Sequence, residues 1–164
     1  MLEAQLESYT QLREDMSRRD RSLREKVMSL EEAASFVADG LTIDLDGSTM
    51  SRTPMAMIWE VIRQRRKNLS VSRYIVSTDG DLLFGSGVSD HIITSWSAQG
   101  TLWGLSKVMR HHVETQGKRF EEWSHMAVGM RFRAGGMGVP FLPTRAMLGS
   151  DVMRMRPEAK EFTC

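Results

Sequence analysis

The 164-residue chain has almost no cysteine: the only one is its last residue, Cys164. An intrachain disulfide is therefore excluded, and so is a cysteine-based structural metal site. Proline is scarce too, limited to Pro54, Pro140, Pro143 and Pro157, so most of the chain is free to form regular structure. No apolar run approaches the ~20 residues of a membrane helix. The first residues are charged from Glu3 onward and lack the apolar stretch of a secretion signal. Charge of one sign is missing as well: Lys plus Arg is 22 against 21 for Asp plus Glu, a net charge of +1. Nucleic-acid binders usually carry a basic footprint, so nucleic acid is not expected as the main partner. A cytoplasmic protein is the expectation.

Chemical motifs are equally sparse. There is no Gly-x-Ser-x-Gly elbow, no Gly-x-x-x-x-Gly-Lys loop and no full Gly-x-Gly-x-x-Gly fingerprint. The histidines are His91, His111, His112 and His125. Neighbours on a helix point about 100° apart, so His111 and His112 do not share a metal easily, and no metal site is expected. His91 is expected to be a packed or surface histidine. The pairs Glu31–Glu32 and Glu121–Glu122 are expected in the first turns of helices, where the dipole accounts for them. Local chemistry alone identifies no catalytic residue.

What is present is an ordinary globular composition, 41% hydrophobic and 26% charged, in a length that suits one domain. The thirteen methionines fall on apolar faces, where core packing explains them. Residues 2 to about 26 read as a charge-rich helix with one thin apolar edge. Leu2, Tyr9, Met16, Leu23 and Leu30 recur every seven residues, which is an incomplete coiled-coil signal. Residues 1–27 are accordingly taken as a helical arm, either solvated or packed on a partner, and 28–164 as the remaining domain.

Alternation of helix and strand signals then dominates. Ser29 and Glu32 have capping-box spacing before the stripe Leu30, Ala33, Ala34, Val37, and Gly40 fits the stop. The strand "LTIDL" leads into "DGSTMSRTP", where Thr53 and Pro54 read as N-cap and first helical position. Met55, Ile58, Trp59 and Ile62 make one buried helix face. "LSVSRYIVS" is a second strand, "TDGD" a turn, "LLFGSG" a short helix and "VSDHIITSW" a third strand. Helices follow with Leu102, Leu105, Val108, Met109 and His112, and with Phe120, Trp123, Ala127 and Met130. The glycines and prolines of "AGGMGVPFLPTR" break periodicity. This order implies right-handed crossovers and a parallel sheet. The loops at Asp46–Pro54 and Thr78–Asp81 would then share the carboxyl edge of that sheet, the usual place for a ligand crevice.

The run "KVMSLEEAASFVADGLTIDLDGSTMSRTPMAMIWEVIRQRRKNLSV" resembles the alpha subunit of family I coenzyme A transferases, the glutaconate CoA-transferase group in particular. That family has a capped helix, a glycine, a strand, and a Gly-Gly-Phe-Thr-type loop followed by Arg-Lys-Pro. Gly40, Gly47, Thr49, Arg52 and Pro54 match it. "GDLLFGSGVSDHII" and "GVPFLPTRAMLGSD" match its next helix and strand and its Leu-Pro-Phe-Leu-Pro segment. The resemblance covers about residues 26–151 and implies a three-layer α/β/α fold with a mainly parallel sheet, here incomplete at the C-terminal end. It also implies a beta-subunit partner in a hetero-oligomer, with the active site at the interface between the two chains. The catalytic glutamate, which carries coenzyme A as a thioester, belongs to that partner, so no catalytic residue is expected in this chain. Acyl-CoA and a carboxylic acid are the implied substrates, with no permanently bound cofactor. Gly47, Ser48, Thr49 and Arg52 are the implied acyl-substrate residues; the alternative for Arg52 is a salt bridge or a contact at the helix start. Asp44, Asp46, Ser48 and Thr53 depart from the family pattern. Those departures leave two other readings open: a CoA-thioester ring-opening hydrolase of the same fold, and a non-catalytic interaction subunit.

Overall fold

A computed structural model describes residues 2–156 apart from Thr101 and Lys118, with side chains described from residue 9 onward. Cys164 and Pro157 lie outside the described residues. The elements are α1 (Leu2–Arg18), α2 (Leu30–Ser35), β1 (Thr42–Asp44), α3 (Met55–Arg63), β2 (Leu69–Ser72), β3 (Ile75–Val76) and α4 (Thr78–Gly85). They continue with β4 (Ser89–Thr94), β5 (Trp96–Ser97), α5 (Lys107–Gln116), β6 (Arg119–Glu122), α6 (His125–Met137) and α7 (Asp151–Arg154).

Four strands form one sheet in the order β1-β2-β4-β6, and every pairing is parallel. Just beyond it, β3 and β5 form a second parallel pair. The fold is thus the expected α/β arrangement with a mainly parallel sheet. Val71 and Ile92 face one side, where they pack with Ile58 and Val61 of α3, Leu83 and Phe84 of α4, and Met109 of α5. Ile93 faces the other side, with Trp123, Ala127, Val128 and Met147. Two apolar clusters on opposite faces of one sheet make the three layers. Gly80 lets α4 and α5 approach closely, since a Cβ there would stand 2.6 Å from Met109 Sδ. The arm α1 rests against the chain's own C-terminal side, with the Tyr9 hydroxyl donating to the Pro140 carbonyl at 3.2 Å.

Several local expectations are corrected. The helical arm ends at Arg18, and the heptad position Leu23 is fully exposed. The second strand is broken at Arg73 and Tyr74, although the Arg73 N–H still donates to the Ile93 carbonyl at 2.9 Å. "TDGD" opens α4 instead of forming a turn: Asp79 and Asp81 occupy the first turn, and the Asp79 carboxylate accepts the Ser77 N–H at 2.9 Å. Helix α5 starts only at Lys107, after Ser106 caps it, so Leu102 and Leu105 lie before it and are exposed. Phe120 and Glu121–Glu122 belong to strand β6, not to a helix. Helix α6 begins at His125, where the Ser124 hydroxyl accepts the Ala127 N–H at 3.1 Å, and it runs on through Gly135 and Gly136 to Met137. Ser29 caps α2 as expected, accepting the Glu32 N–H at 3.1 Å. Pro54, not Thr53, occupies the cap position of α3, and Thr53 uses its hydroxyl elsewhere.

Candidate functional site

All four strands of the main sheet run in the same direction, so their carboxyl ends line one edge. The loop from Leu45 to Pro54 leaves that edge after β1. Its first residue still belongs to the sheet, with the Leu45 N–H donating to the Ser72 carbonyl at 3.0 Å and the side chain buried. The chain then turns sharply. Ser48 and Ser51 exchange backbone hydrogen bonds at 2.8 and 2.7 Å, closing a turn around Thr49 and Met50. Thr49 has φ 53° and Arg52 φ 57°, left-handed conformations that a side chain disfavours. Gly47 has φ 131°, a region open essentially to glycine alone.

Arg73 holds this loop, and sequence reasoning did not single it out. It follows directly on β2 and is fully buried. Its Nη1 lies 2.6 Å from Asp79 Oδ2, and both side chains are buried. Its Nη2 donates to the Thr49 carbonyl at 3.1 Å and to Thr53 Oγ1 at 3.0 Å. A Cβ on Gly47 would stand 2.7 Å from that same Nη2 and 3.0 Å from the Arg52 carbonyl. Glycine at 47 is therefore required both by backbone conformation and by the arginine beside it. The signal was readable: an arginine in the middle of the apolar alternation of "SVSRYIV" needs a buried partner.

A polar cluster continues along the edge from Asp79. Asp81 accepts Gln99 Nε2 at 2.5 Å, and the Ser106 hydroxyl donates to its other oxygen. Gln99 Oε1 accepts the Ser77 and Thr78 hydroxyls at 3.3 and 3.1 Å. The methyl of Met50, at the tip of loop 46–54, would lie 3.9 Å from a Cβ on Gly100. Loop 46–54, the start of α4 and the segment after β5 are thus brought together, although Thr78–Asp81 is a helical turn and not a free loop.

The four residues implied as substrate contacts sit differently. Ser48 and Arg52 are exposed, while Gly47 and Thr49 are partly buried, with the Thr49 carbonyl already engaged by Arg73. No acceptor for the Arg52 guanidinium occurs among the described residues, so the salt-bridge alternative finds no partner there. Asp44 keeps its proton to higher pH than an ordinary aspartate, because burial disfavours the charge and Asp46 repels it. Beside β1, below the edge, an apolar cleft of about 320 Å³ is lined by Val37, Ile43, Met57, Ile58, Val61 and Leu83. Among the described residues no three His, Cys, Asp or Glu side chains converge to hold a metal. The edge therefore offers a hydroxyl and a guanidinium for a carboxylate or an oxyanion, while loop 45–54 has no glutamate as nucleophile.

Comparison with known proteins defines the setting. The coenzyme A transferase family model matches residues 27–163. An uncharacterized protein of Archaeoglobus fulgidus is 36% identical over 138 residues, covering 83% of this chain and 31% of that protein. The alpha subunit of the 3-oxoadipate CoA-transferase of Pseudomonas knackmussii is 33% identical over 143 residues, covering 85% of this chain and 50% of that one. The alpha subunit of the glutaconate CoA-transferase of Acidaminococcus fermentans is 32% identical over 128 residues, 77% of this chain and 40% of that one. The chain thus spans about a third to a half of the length of these relatives. The crystal structure of the Acidaminococcus fermentans glutaconate coenzyme A-transferase superposes with TM-score 0.72 at 32% identity, over 79% of this chain and 41% of that chain. A variant of the decarboxylase AibA/AibB superposes with TM-score 0.73 at 26% identity, over 79% of this chain and 50% of that chain. With the family model matching most of its length, the chain belongs to the coenzyme A transferase family.

Proposed function

We propose that this chain contributes the alpha-subunit share of an acyl-CoA:carboxylate CoA-transferase. In this reading residues 28–164 are the N-terminal part of the alpha-subunit domain, and 1–27 form an arm beside it. Gly47, Ser48, Thr49 and Arg52 shape the acyl-substrate pocket, and a beta subunit supplies the glutamate nucleophile in a cytoplasmic hetero-oligomer. The observation that carries the reading is the family match over residues 27–163, which includes the whole of loop 46–54. Support also comes from the two relatives named as alpha subunits of CoA-transferases.

The chemistry divides between the two chains. The partner's glutamate attacks the thioester carbonyl, coenzyme A leaves as thiolate, and an acyl anhydride remains; the thiolate then takes the glutamyl group and releases the acid. This chain's part is to bind and orient. Ser48 Oγ is a donor for the oxyanion that develops at the acyl carbonyl, and the Arg52 fork suits a carboxylate. Coenzyme A enters and leaves as substrate.

The test is reconstitution with a beta subunit. Borohydride treatment after incubation with acyl-CoA should inactivate the complex by reducing a glutamyl thioester on the partner. Ser48→Ala and Arg52→Ala should each lower turnover, and the Ser48–Ser51 turn, which uses backbone atoms only, survives the first change, so that loss reports the hydroxyl. Unchanged activity in both variants would remove the pocket role and leave a non-catalytic interaction subunit.

The similarity to a decarboxylase keeps a second reading, in which the same edge serves a reaction without transfer. A hydrolase that opens rings of CoA thioesters is that reading here. It expects turnover of acyl-CoA with no acceptor acid and no borohydride-sensitive state.

A further inference from the structure

We propose that Arg73 and Asp79 are positioning residues, whose buried ion pair exists to fix the conformation of loop 46–54 and not to stabilise the core. For the acyl substrate this rests on the transferase reading; for the geometry of the loop it does not.

The pair is an expensive way to fill the interior. Arg73 and Asp79 are 0% and 1% exposed, and taking both charges out of water offsets most of their attraction. Two apolar side chains of similar size would serve the core at least as well. What they could not do is tie loop 46–54 to both the end of β2 and the first turn of α4. From the end of β2, the guanidinium reaches the first turn of α4 at Asp79, the turn carbonyl of Thr49 and the hydroxyl of Thr53. Every one of these contacts lies outside the sheet. Asp79 is itself oriented, its Oδ1 accepting the Ser77 N–H at 2.9 Å, which leaves Oδ2 for Arg73.

The loop needs such a fastening. Gly47, Thr49 and Arg52 all have positive φ within six residues, and conformations of this kind persist only where surrounding structure over-determines them. The Ser48–Ser51 bonds close the turn but do not tie it to the domain. Beyond β1 and the start of α3, the contacts of Arg73 with Thr49 and Thr53 do. A lysine could not reproduce them, because the two faces of the contact use separate nitrogens of a rigid fork.

The experiment uses the full chain and reads amide hydrogen exchange at Ser48 and Ser51, with Val71 of β2 as the internal reference. The double variant Arg73→Met/Asp79→Leu also removes the acceptor of the buried Ser77 N–H, so its urea midpoint falls and the test rests on where exchange changes. Ser48 and Ser51 should exchange roughly tenfold faster or more, the scale of one lost charge-assisted hydrogen bond, while Val71 keeps its rate. If the double variant does not fold, Thr53→Val decides. It removes the acceptor of one guanidinium bond, together with the hydroxyl's own 3.4 Å bond to the Thr49 carbonyl, with little change of shape. It should speed the two serines roughly tenfold, with Thr53→Ser restoring the original rate. Unchanged exchange at Ser48 and Ser51 in a folded variant overturns the proposal. Equal acceleration at Val71 also overturns it, because the pair would then be a general support of the fold. Failure of thioester trapping would defeat the transferase reading and leave this result as it stands.

Discussion

Replacing Gly47 with alanine tests the most constrained point of the loop. Two effects act together there. The backbone sits at φ 131°, where a Cβ is disfavoured, and strain of this kind is worth about 1–3 kcal/mol. The added carbon would also stand 2.7 Å from Arg73 Nη2 and 3.0 Å from the Arg52 carbonyl. The tip of a free arginine would move aside at little cost, but this one is held by Asp79, Thr49 and Thr53. Moving it weakens a charged hydrogen bond, a loss of about 1.5–3 kcal/mol. Together the expected destabilisation is about 2.5–6 kcal/mol, against about 1 kcal/mol for a glycine whose only restriction is positive φ. Gly87 is that control, with φ 76° and open space where its Cβ would be. The assay is urea unfolding of Gly47→Ala and Gly87→Ala with a shared m-value, so that midpoints report stability. Equal losses in the two variants would refute the reasoning, since the arginine would then not be fixed where its hydrogen bonds hold it.

Phe84 is 1% exposed in the core beneath the sheet, so Phe84→Ala should cost about 3–5 kcal/mol by urea unfolding. Phe36 is 68% exposed, and its alanine variant should stay within about 0.5 kcal/mol of the parent. Glu60 is held down to about 2 by hydrogen bonds from Arg63 and Gln64. Its folded pKa is depressed, so its contribution is complete above about pH 4.5 and is lost as pH falls toward 2; Glu60→Gln should flatten the acid limb of stability there. His91 titrates below its ordinary value because burial and then Arg119 disfavour the cation, with Arg131 adding to this and Glu121 only partly opposing it. A depressed histidine gives stability that is complete above about pH 6.5 and lost as pH falls through its folded pKa. His91→Gln should therefore reduce the fall in urea midpoint as the pH drops from about 7.5 to below about 6.5.

Much of this architecture is legible in the chain. Periodicity and the order of signals give the parallel sheet, the Ser29 cap and part of the buried face of α3. On that face Ile58 is buried and Met55 and Ile62 half-buried, but the expected Trp59 is 55% exposed and Val61 is buried instead. What misleads is context. "RFEEW" carries helical spacing, yet Phe120 pairs with Ile92 across the sheet, and only a neighbouring strand makes that choice. Leu102 and Leu105 look like a helix face, but Ser106 caps the helix one turn later. The position of loop 46–54 could be expected from the strand before it and the proline after it. The means of holding it could not, because Arg73 and Asp79 meet it through the tertiary fold.

The aspartate at position 46, where the resemblance implies a glycine, separates two questions that the sequence joins. A glycine there suggests a backbone that an aspartate would strain. Yet among the described non-glycine residues only Thr49, Arg52, Arg65 and Asn68 have positive φ, and Asp46 keeps an ordinary backbone. The turn is made instead at Gly47 and Thr49, both next to Arg73. The consequence of Asp46 is therefore electrostatic. It helps raise the pKa of Asp44, so the two carboxyl groups share one field at the end of β1. A field of that sign opposes negative charge growing on an acyl oxygen, whereas Arg52, exposed in the same loop, favours it. Under the proposed acyl-transfer reading the two carboxyl groups and Arg52 would act in opposite senses, within a loop whose shape the aspartate leaves intact.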